Sequence, residues 1–238
     1  MHSLFEITPI ATLKGPYKEK FGIPRQPGLV KSLTSTIVFK KGFDQPEMLR
    51  GLEQCSHIWL LFIFSECVNQ GWSPTVRPPR LGGNKRMGVL ATRSPFRPNP
   101  IGLSPVRLER IDINGGKAEL IVSGADLLDG TPIIDIKPYL PYSDIIPDAE
   151  FELASHIELL PHEIVFSAQA EKMVIDAEQK YGLPVKQQIS ELLKCDPRPA
   201  YKKDDSARSY GVRLHDLNIR FRITETTIFV DEINQADA

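Results

Sequence analysis

Arg93, Arg97, Asn99 and Ser104 stand in the string Arg-Ser-Pro-Phe-Arg-Pro-Asn-Pro-Ile-Gly-Leu-Ser, residues 93–104. Two guanidinium forks, a carboxamide and hydroxyls suit an anionic or polar ligand: a phosphate, a carboxylate or a nucleoside. Three prolines and a glycine argue against a helix interior and against a central strand. Pro98 and Pro100 also hold Arg97 and Asn99 extended. A stiff loop between strands is where a rigid frame presents a binding site. The same composition also fits a surface crossover whose arginines are merely solvated.

Strand-like segments flank this string at 87–92 and 106–113. The latter and 117–122 enclose Asn114-Gly115-Gly116, a hairpin signal. Residues 5–12 alternate and predict an early strand, and 34–39 are β-branched and predict a second. Pro46 opens an expected short helix to Glu53. The run 56–64 is nearly continuous apolar, which predicts a strand buried on both faces. Ser65 and Glu66 follow it at once, as ordinary strand termination or as site residues. Residues 15–28 are turn-rich, without period, and too long for a plain connection. Asp129-Gly-Thr-Pro is a turn before a strand at 133–139. These signals predict a mainly antiparallel sheet or barrel over residues 1–145, then a proline-rich, acidic linker at 146–160. Beyond it a strand at 163–167, helices at 168–181 and 185–195, and strands at 210–214, 218–223 and 227–233 predict a smaller α+β domain over 161–238.

Other chemistry is poorly supported. No glycine-rich turn opens a helix, so a Rossmann dinucleotide site is absent, and no Gly-x-Ser-x-Gly or His-Glu-x-x-His string occurs. His215-Asp216 is a weak catalytic pair. Cys55, Cys67 and Cys195 are an odd count with no Cys-x-x-Cys, which argues against a disulfide framework and against zinc. The expectation is a reducing, cytoplasmic setting, with no secretory signal and no membrane span. Net charge is −1, so no global basic field announces nucleic acid. The charge is uneven, however: between 71 and 110 eight cations face Glu109 alone, while 141–160 carries five acids and no Lys or Arg. Uneven charge of this kind suits a polyanion on one surface or plain solvated faces.

The string 93–104, with Pro-Arg-Gln-Pro-Gly at 24–28 and Asp-Gly-Thr-Pro-Ile-Ile-Asp-Ile-Lys-Pro-Tyr at 129–139, resembles the TsaA-like family. Val-Arg-Pro-Pro-Arg-Leu-Gly-Gly at 76–83, Asp-Pro-Arg-Pro-Ala-Tyr at 196–201 and His-Asp-Leu-Asn at 215–218 resemble its bacterial tRNA-methyltransferase branch, the TrmO type. The resemblance runs along essentially the whole chain. It implies a homodimeric enzyme whose β-barrel binds S-adenosyl-L-methionine without a metal. The implied reaction methylates N6 of the threonylcarbamoyladenosine at position 37, beside the anticodon of threonine tRNA. The implied cofactor contacts are Arg25, Gln26, Pro27, Ser65, Glu66, Arg93, Leu103, Asp129, Gly130, Thr131 and Pro132. The family places a histidine where this chain has Ser65, so contact there falls to the backbone. Arg25 or Arg93 suits the cofactor's carboxylate, Gln26 an adenine edge, Asp129 the ammonium or ribose, and Leu103 and Pro27 the purine face.

Arg97, Arg198, Tyr201, Lys202 and Lys203 are candidate tRNA contacts, cations for phosphates and an aromatic ring for an unpaired base. Arg198 also suits a structural pair with Asp196 or Asp216. Phe96, Pro98 and Ile101 are candidates for the subunit contact. No catalytic residue is assigned. The alternative readings are a non-catalytic nucleotide- or RNA-binding module, and a methyltransferase of the same fold with another substrate.

Overall fold

The computed structural model describes residues 5–78, 85–152, 159–198 and 208–236. Six strands, β1 (Ala11–Lys14), β2 (Thr34–Phe39), β3 (His57–Ile63), β6 (Ile101–Asn114), β7 (Lys117–Ser123) and β8 (Pro132–Pro138), close a barrel in the order β1-β2-β7-β6-β3-β8. All neighbours in it are antiparallel. A two-stranded ribbon, β4 (Thr75–Val76) with β5 (Met87–Gly88), stands beside the barrel. The family of architectures expected from sequence is therefore present: mainly β, with a closed antiparallel barrel.

Several boundaries differ from expectation. The early strand begins only at Ala11. The helix expected from Pro46 is two 3-10 turns, Pro46–Leu49 and Leu52–Gln54, separated at Gly51 with φ +91°. The strand expected at 87–92 is a two-residue strand and a 3-10 turn, Val89–Ala91. β3 is buried on one face rather than two. Ile58, Leu60 and Phe62 enter the core, while Trp59, Leu61 and Ile63 are half-buried. A closed barrel has one inner face, and the apolar outer residues of β3 meet other cover: Trp59 Nε1 donates to Asp144 Oδ2 at 2.8 Å, from the short helix α1 (Pro141–Asp144).

The prolines at 98 and 100 stop short of β6, but residues 101–104, the end of the string whose composition argued against a central strand, open it, and Pro105 follows inside it. Pro105 faces Trp59 of β3, and β7 joins the other side of β6 only from Arg107. Pro105 therefore sits where its missing N–H interrupts no second ladder.

The second unit holds β9 (Glu163–Phe166), α2 (Ala168–Tyr181), α3 (Val185–Lys194), β10 (Tyr210–Leu214), β11 (Leu217–Ile223) and β12 (Thr227–Gln235). Its sheet runs β10-β11-β12-β9, antiparallel except for the β12–β9 pair. Ser167 caps α2 by accepting from the Ala170 amide at 3.1 Å, and Gly182 in the left-handed region ends it. α3 buries Val185, Gln188, Ile189, Leu192 and Leu193, one face of a 3.6-residue period. The core formed on this sheet also contains Tyr17, Val30 and Leu33, which lie between β1 and β2.

Candidate functional site

The strand registers decide which loops can meet. Ile63 at the end of β3 pairs with Ile101 at the start of β6, and Phe62 with Ile133 near the start of β8. Thr12 of β1 pairs with Pro132, and Ser123 at the end of β7 with Thr34 at the start of β2. One rim of the barrel therefore carries the β1–β2 segment, the turn after β3, the loop before β6 and the β7–β8 link. Every cofactor contact implied by the resemblance lies in these four places or, for Leu103 and Pro132, at the start of the strand that follows. A shallow cavity lined by Val38, Lys41, Asp44, Lys117 and Glu119 lies at the opposite rim, away from them.

The β1–β2 segment is the hub of this rim. Arg93 Nη1 donates to Gln26 Oε1 at 2.6 Å, joining the loop before β6 to Arg25-Gln26-Pro27. Lys20 Nζ lies 3.9 Å from Glu66 Oε2, at the start of the turn Ser65–Gln70. Asp129 accepts from the Gly15 amide at 2.9 Å and pairs with Lys18 Nζ at 2.8 Å. The Gly28 amide donates to the Gly124 carbonyl at 2.8 Å, and a Cβ on Gly124 would press against the Gly28 backbone. Gly130 takes φ +81° to turn its amide onto the Leu13 carbonyl at 2.8 Å, and Thr131 is buried with its hydroxyl on the Leu128 carbonyl. Leu103, on the strand itself, is 50% exposed and offers an apolar surface at the rim. Arg25, Ser65, Glu66 and Arg93 are exposed, and Gln26, Pro27 and Pro132 half-buried. Arg97 donates to the Thr92 carbonyl at 3.2 Å, bracing its own loop.

The second unit holds this hub from behind. Tyr17 is 2% exposed, bridges to Leu214, and sits in the second core, against which Phe21 and Ile23 also pack. The His215 amide donates to the Pro16 carbonyl at 2.8 Å and the Arg213 amide to Glu19 Oε1 at 3.0 Å. Ser32 donates through its amide and hydroxyl to Glu191, while Gln188 Nε2 donates to the Ser32 carbonyl at 3.0 Å. Arg25 Nη2 reaches the Arg198 carbonyl at 3.4 Å.

Of the residues expected to face tRNA, Arg198 is turned away from solvent. Arg198 is 6% exposed, and its Nε pairs with Asp196 Oδ1 at 2.9 Å. That is the structural pairing the sequence left open, and it turns the guanidinium inward. Tyr201, Lys202 and Lys203 lie outside the described residues. Other cations of the second unit are paired as well: Arg222 with Asp231 at 2.7 Å and Arg220 with Glu232 at 3.8 Å. Exposed cations stand on both units, at Arg77, Lys85 and Arg86 on the barrel side and at Lys172, Lys194 and Arg208 in the second unit. His215 is committed to structure. Its Nε2 lies 2.9 Å from Gln188 Oε1, its ring stacks on Tyr181, and burial lowers its pKa. Burial pushes the Cys195 thiol up to about 11, which leaves no thiolate nucleophile there at neutral pH.

Sequence reasoning missed Asp126, in the β7–β8 link. Its Oδ1 accepts from the Ser104 hydroxyl at 2.7 Å, and Ser104 is itself buried. Burial raises the Asp126 pKa, with Ser104 and the charge of Arg93 pulling it back in part. The available signal was an acid set between the apolar Ala125 and Leu127, just after a strand end. Among the described residues no group of three His, Cys, Asp or Glu side chains gathers as a metal set, and no helix is long and apolar enough to cross a membrane.

Residues 12–145 match the family model of the tRNA-methyltransferase O N-terminal domain, and residues 160–236 that of the TrmO C-terminal domain. A tRNA (adenine(37)-N6)-methyltransferase of Escherichia coli (strain K12) is 46% identical over 94% of this chain and 95% of its own. Another of that description, from Eikenella corrodens, is 44% identical over 75% of this chain and 96% of its own. The crystal structure of TrmO from Pseudomonas aeruginosa superposes with a TM-score of 0.80 at 37% identity, covering 98% of this chain and 100% of that one. With matches of that extent to both domain models, the chain belongs to the tRNA-methyltransferase O family.

Proposed function

We propose that the protein is an S-adenosylmethionine-dependent tRNA methyltransferase acting on N6 of adenosine 37, with the threonylcarbamoyl form of that base in threonine tRNA as its substrate. The observation that carries this reading is the gathering of Gln26, Glu66, Arg93, Leu103 and Asp129 at one barrel rim in a chain of this family. Their chemistry fits the methyl donor. Arg93 and Arg25 are exposed guanidinium groups for its carboxylate, Glu66 and Asp129 carboxylates for its ammonium or ribose, and Leu103 an apolar face for its purine. When bound, S-adenosylmethionine supplies an electrophilic methyl group on a sulfonium. What the chain must add is orientation of the acceptor nitrogen in line with that methyl group. Charge at sulfur is neutralised on transfer, so closing loops that exclude water favours the reaction.

The division into a donor-binding barrel over 1–145, a linker over 146–160 and a tRNA-binding unit over 161–238 belongs to the same proposal. In this reading tRNA meets both units, which the packing of the β1–β2 segment on the second unit and the exposed cations Arg77, Lys85 and Arg86 on the barrel side support. The active form is a cytoplasmic homodimer, with Phe96, Pro98 and Ile101 at the subunit contact. The test is purified protein, S-adenosylmethionine and unmodified-at-N6 threonine tRNA, with nucleoside mass spectrometry. A 14-dalton gain on threonylcarbamoyladenosine is expected, that being about the mass of one CH₂ unit added when methyl replaces hydrogen. Donor binding without any transfer would favour the binding-module reading.

A further inference from the structure

We propose that Asp126 is the catalytic residue that takes the N6 proton, with Ser104 positioning it. This deepens the function just proposed and rests on that reading. The placement is the argument. Asp126 lies in the β7–β8 link, between two points where that link is fastened to the hub. Gly124, two residues earlier, packs on Gly28, and Asp129, three residues later, holds Gly15 and Lys18. From the barrel, Ser104 reaches its Oδ1 at 2.7 Å, one residue beyond the exposed Leu103. The β7–β8 link, the β1–β2 segment, the loop before β6 and the start of β6 itself thus bring groups to one carboxylate.

The other acids of the rim are less suited. Glu66 is on the solvent side, with its side chain 60% exposed, and Asp129 is committed to Lys18 and the Gly15 amide. Asp126 makes no ion pair among the described residues, and Ser104 is its one side-chain hydrogen-bond partner there. The charged and titratable groups facing it are Arg93 from the loop before β6 and Tyr17 from the β1–β2 segment. Among the described residues the Tyr17 hydroxyl is buried without a hydrogen-bond partner, and burial raises its pKa, so it stays neutral and cannot compete as the base. Burial also raises the Asp126 pKa, which strengthens it as a proton acceptor near neutral pH.

The balance is simple. The N6–H bond breaks and its proton goes to the Asp126 carboxylate. The electron pair on N6 forms the new bond to the methyl carbon, and the methyl–sulfur bond breaks with its pair remaining on sulfur. Solvent takes the proton from Asp126 when the rim opens for product release. No metal or redox partner enters.

Asp126→Asn in the full chain keeps the shape and removes the base. Methylation should fall by roughly 10²–10⁴-fold, the range of a positioned general base. Affinity for S-adenosylmethionine by calorimetry, and for tRNA by filter binding, should be unchanged. A normal rate in Asp126→Asn overturns the proposal, and so does lost donor affinity, which would make Asp126 a donor ligand. Ser104→Ala gives an independent reading should the first variant fold poorly. The Ser104 hydrogen bond lowers the Asp126 pKa, so removing it must move the acidic limb of the pH–rate profile to higher pH. A limb that stays in place overturns the proposal. Wild-type protein that methylates nothing defeats the parent reading instead, and the two failures are thereby distinct.

Discussion

Arg93 meets a neutral partner, Gln26, so its fork is fixed in direction while its charge stays available to an anion. Arg93→Ala should weaken S-adenosylmethionine binding by ~1.5–3 kcal/mol, the range for hydrogen bonds to charged groups. The fold should be intact, because the side chain is exposed. Calorimetry decides, and unchanged affinity would remove Arg93 from the site. Asp216 has the opposite character. Burial works against its ionisation, but Tyr181, Lys180 and Gln235 donate to it and hold its pKa at about 2, below the ordinary 3.8. A depressed carboxylate stabilises the fold above its ordinary pKa, and that contribution is lost as pH falls from about 3.8 toward 2. Thermal melts over that interval should therefore show an acid loss that Asp216→Asn lacks. Equal acid sensitivity in the two proteins would assign the effect elsewhere.

The β1–β2 segment is an element of neither regular class, yet it ties the rim together. Tyr17→Ala should cost about 3–5 kcal/mol, as for other large aromatic truncations in a core. It should also weaken donor binding, although Tyr17 is buried and 2% exposed. A destabilised variant with full donor affinity would show that the hub keeps its shape without this anchor. Gly102 is a second such point. The ring of Phe62 lies where a Cβ on Gly102 would go, so Gly102→Ala should cost about 1–3 kcal/mol as an overpacked core does, readable in urea unfolding. Strands β2, β7 and β10 to β12 were legible because β-branched or alternating residues lie between turn signals. The opening of β6 was hidden by its prolines, whose effect depends on whether β7 has yet joined the ladder. The anchoring of 15–33 was hidden for another reason. Tyr17, Phe21, Ile23, Val30 and Leu33 dock into a core that the rest of the chain builds, and docking of a loop leaves no period in its sequence. Arg198 could be read either way, and its partner two residues away gave it to the interior.

The two units are not independent at the level of the whole molecule. If they were, the barrel with residues 161–238 removed would keep the proposed donor site. The structure predicts otherwise, because Tyr17, Val30 and Leu33 would lose their core, and Ser32 its partners Glu191 and Gln188. Such a truncated chain should fail to bind S-adenosylmethionine in calorimetry, and retained affinity would show the rim to be self-sufficient. Assembly has its own test. Val68, Trp72, Leu90 and Phe96 leave exposed apolar surface near the rim loops, as the proposed dimer contact requires. Sedimentation should give a dimer, and a fully active monomer would end that part of the proposal.

The pairing of Tyr17 with Leu214 also sets a timetable. Translation delivers the barrel strands first, but the connection between the first two of them has nowhere to pack until α3, β10 and β11 have been made. Contacts spanning nearly the whole chain are slow to form. The arrangement of the rim therefore matures only once α3, β10 and β11 have been made and this connection has docked on them. A nascent chain that has not yet reached β11 carries the arginines and the acids of the rim but lacks the core on which Tyr17, Val30 and Leu33 pack.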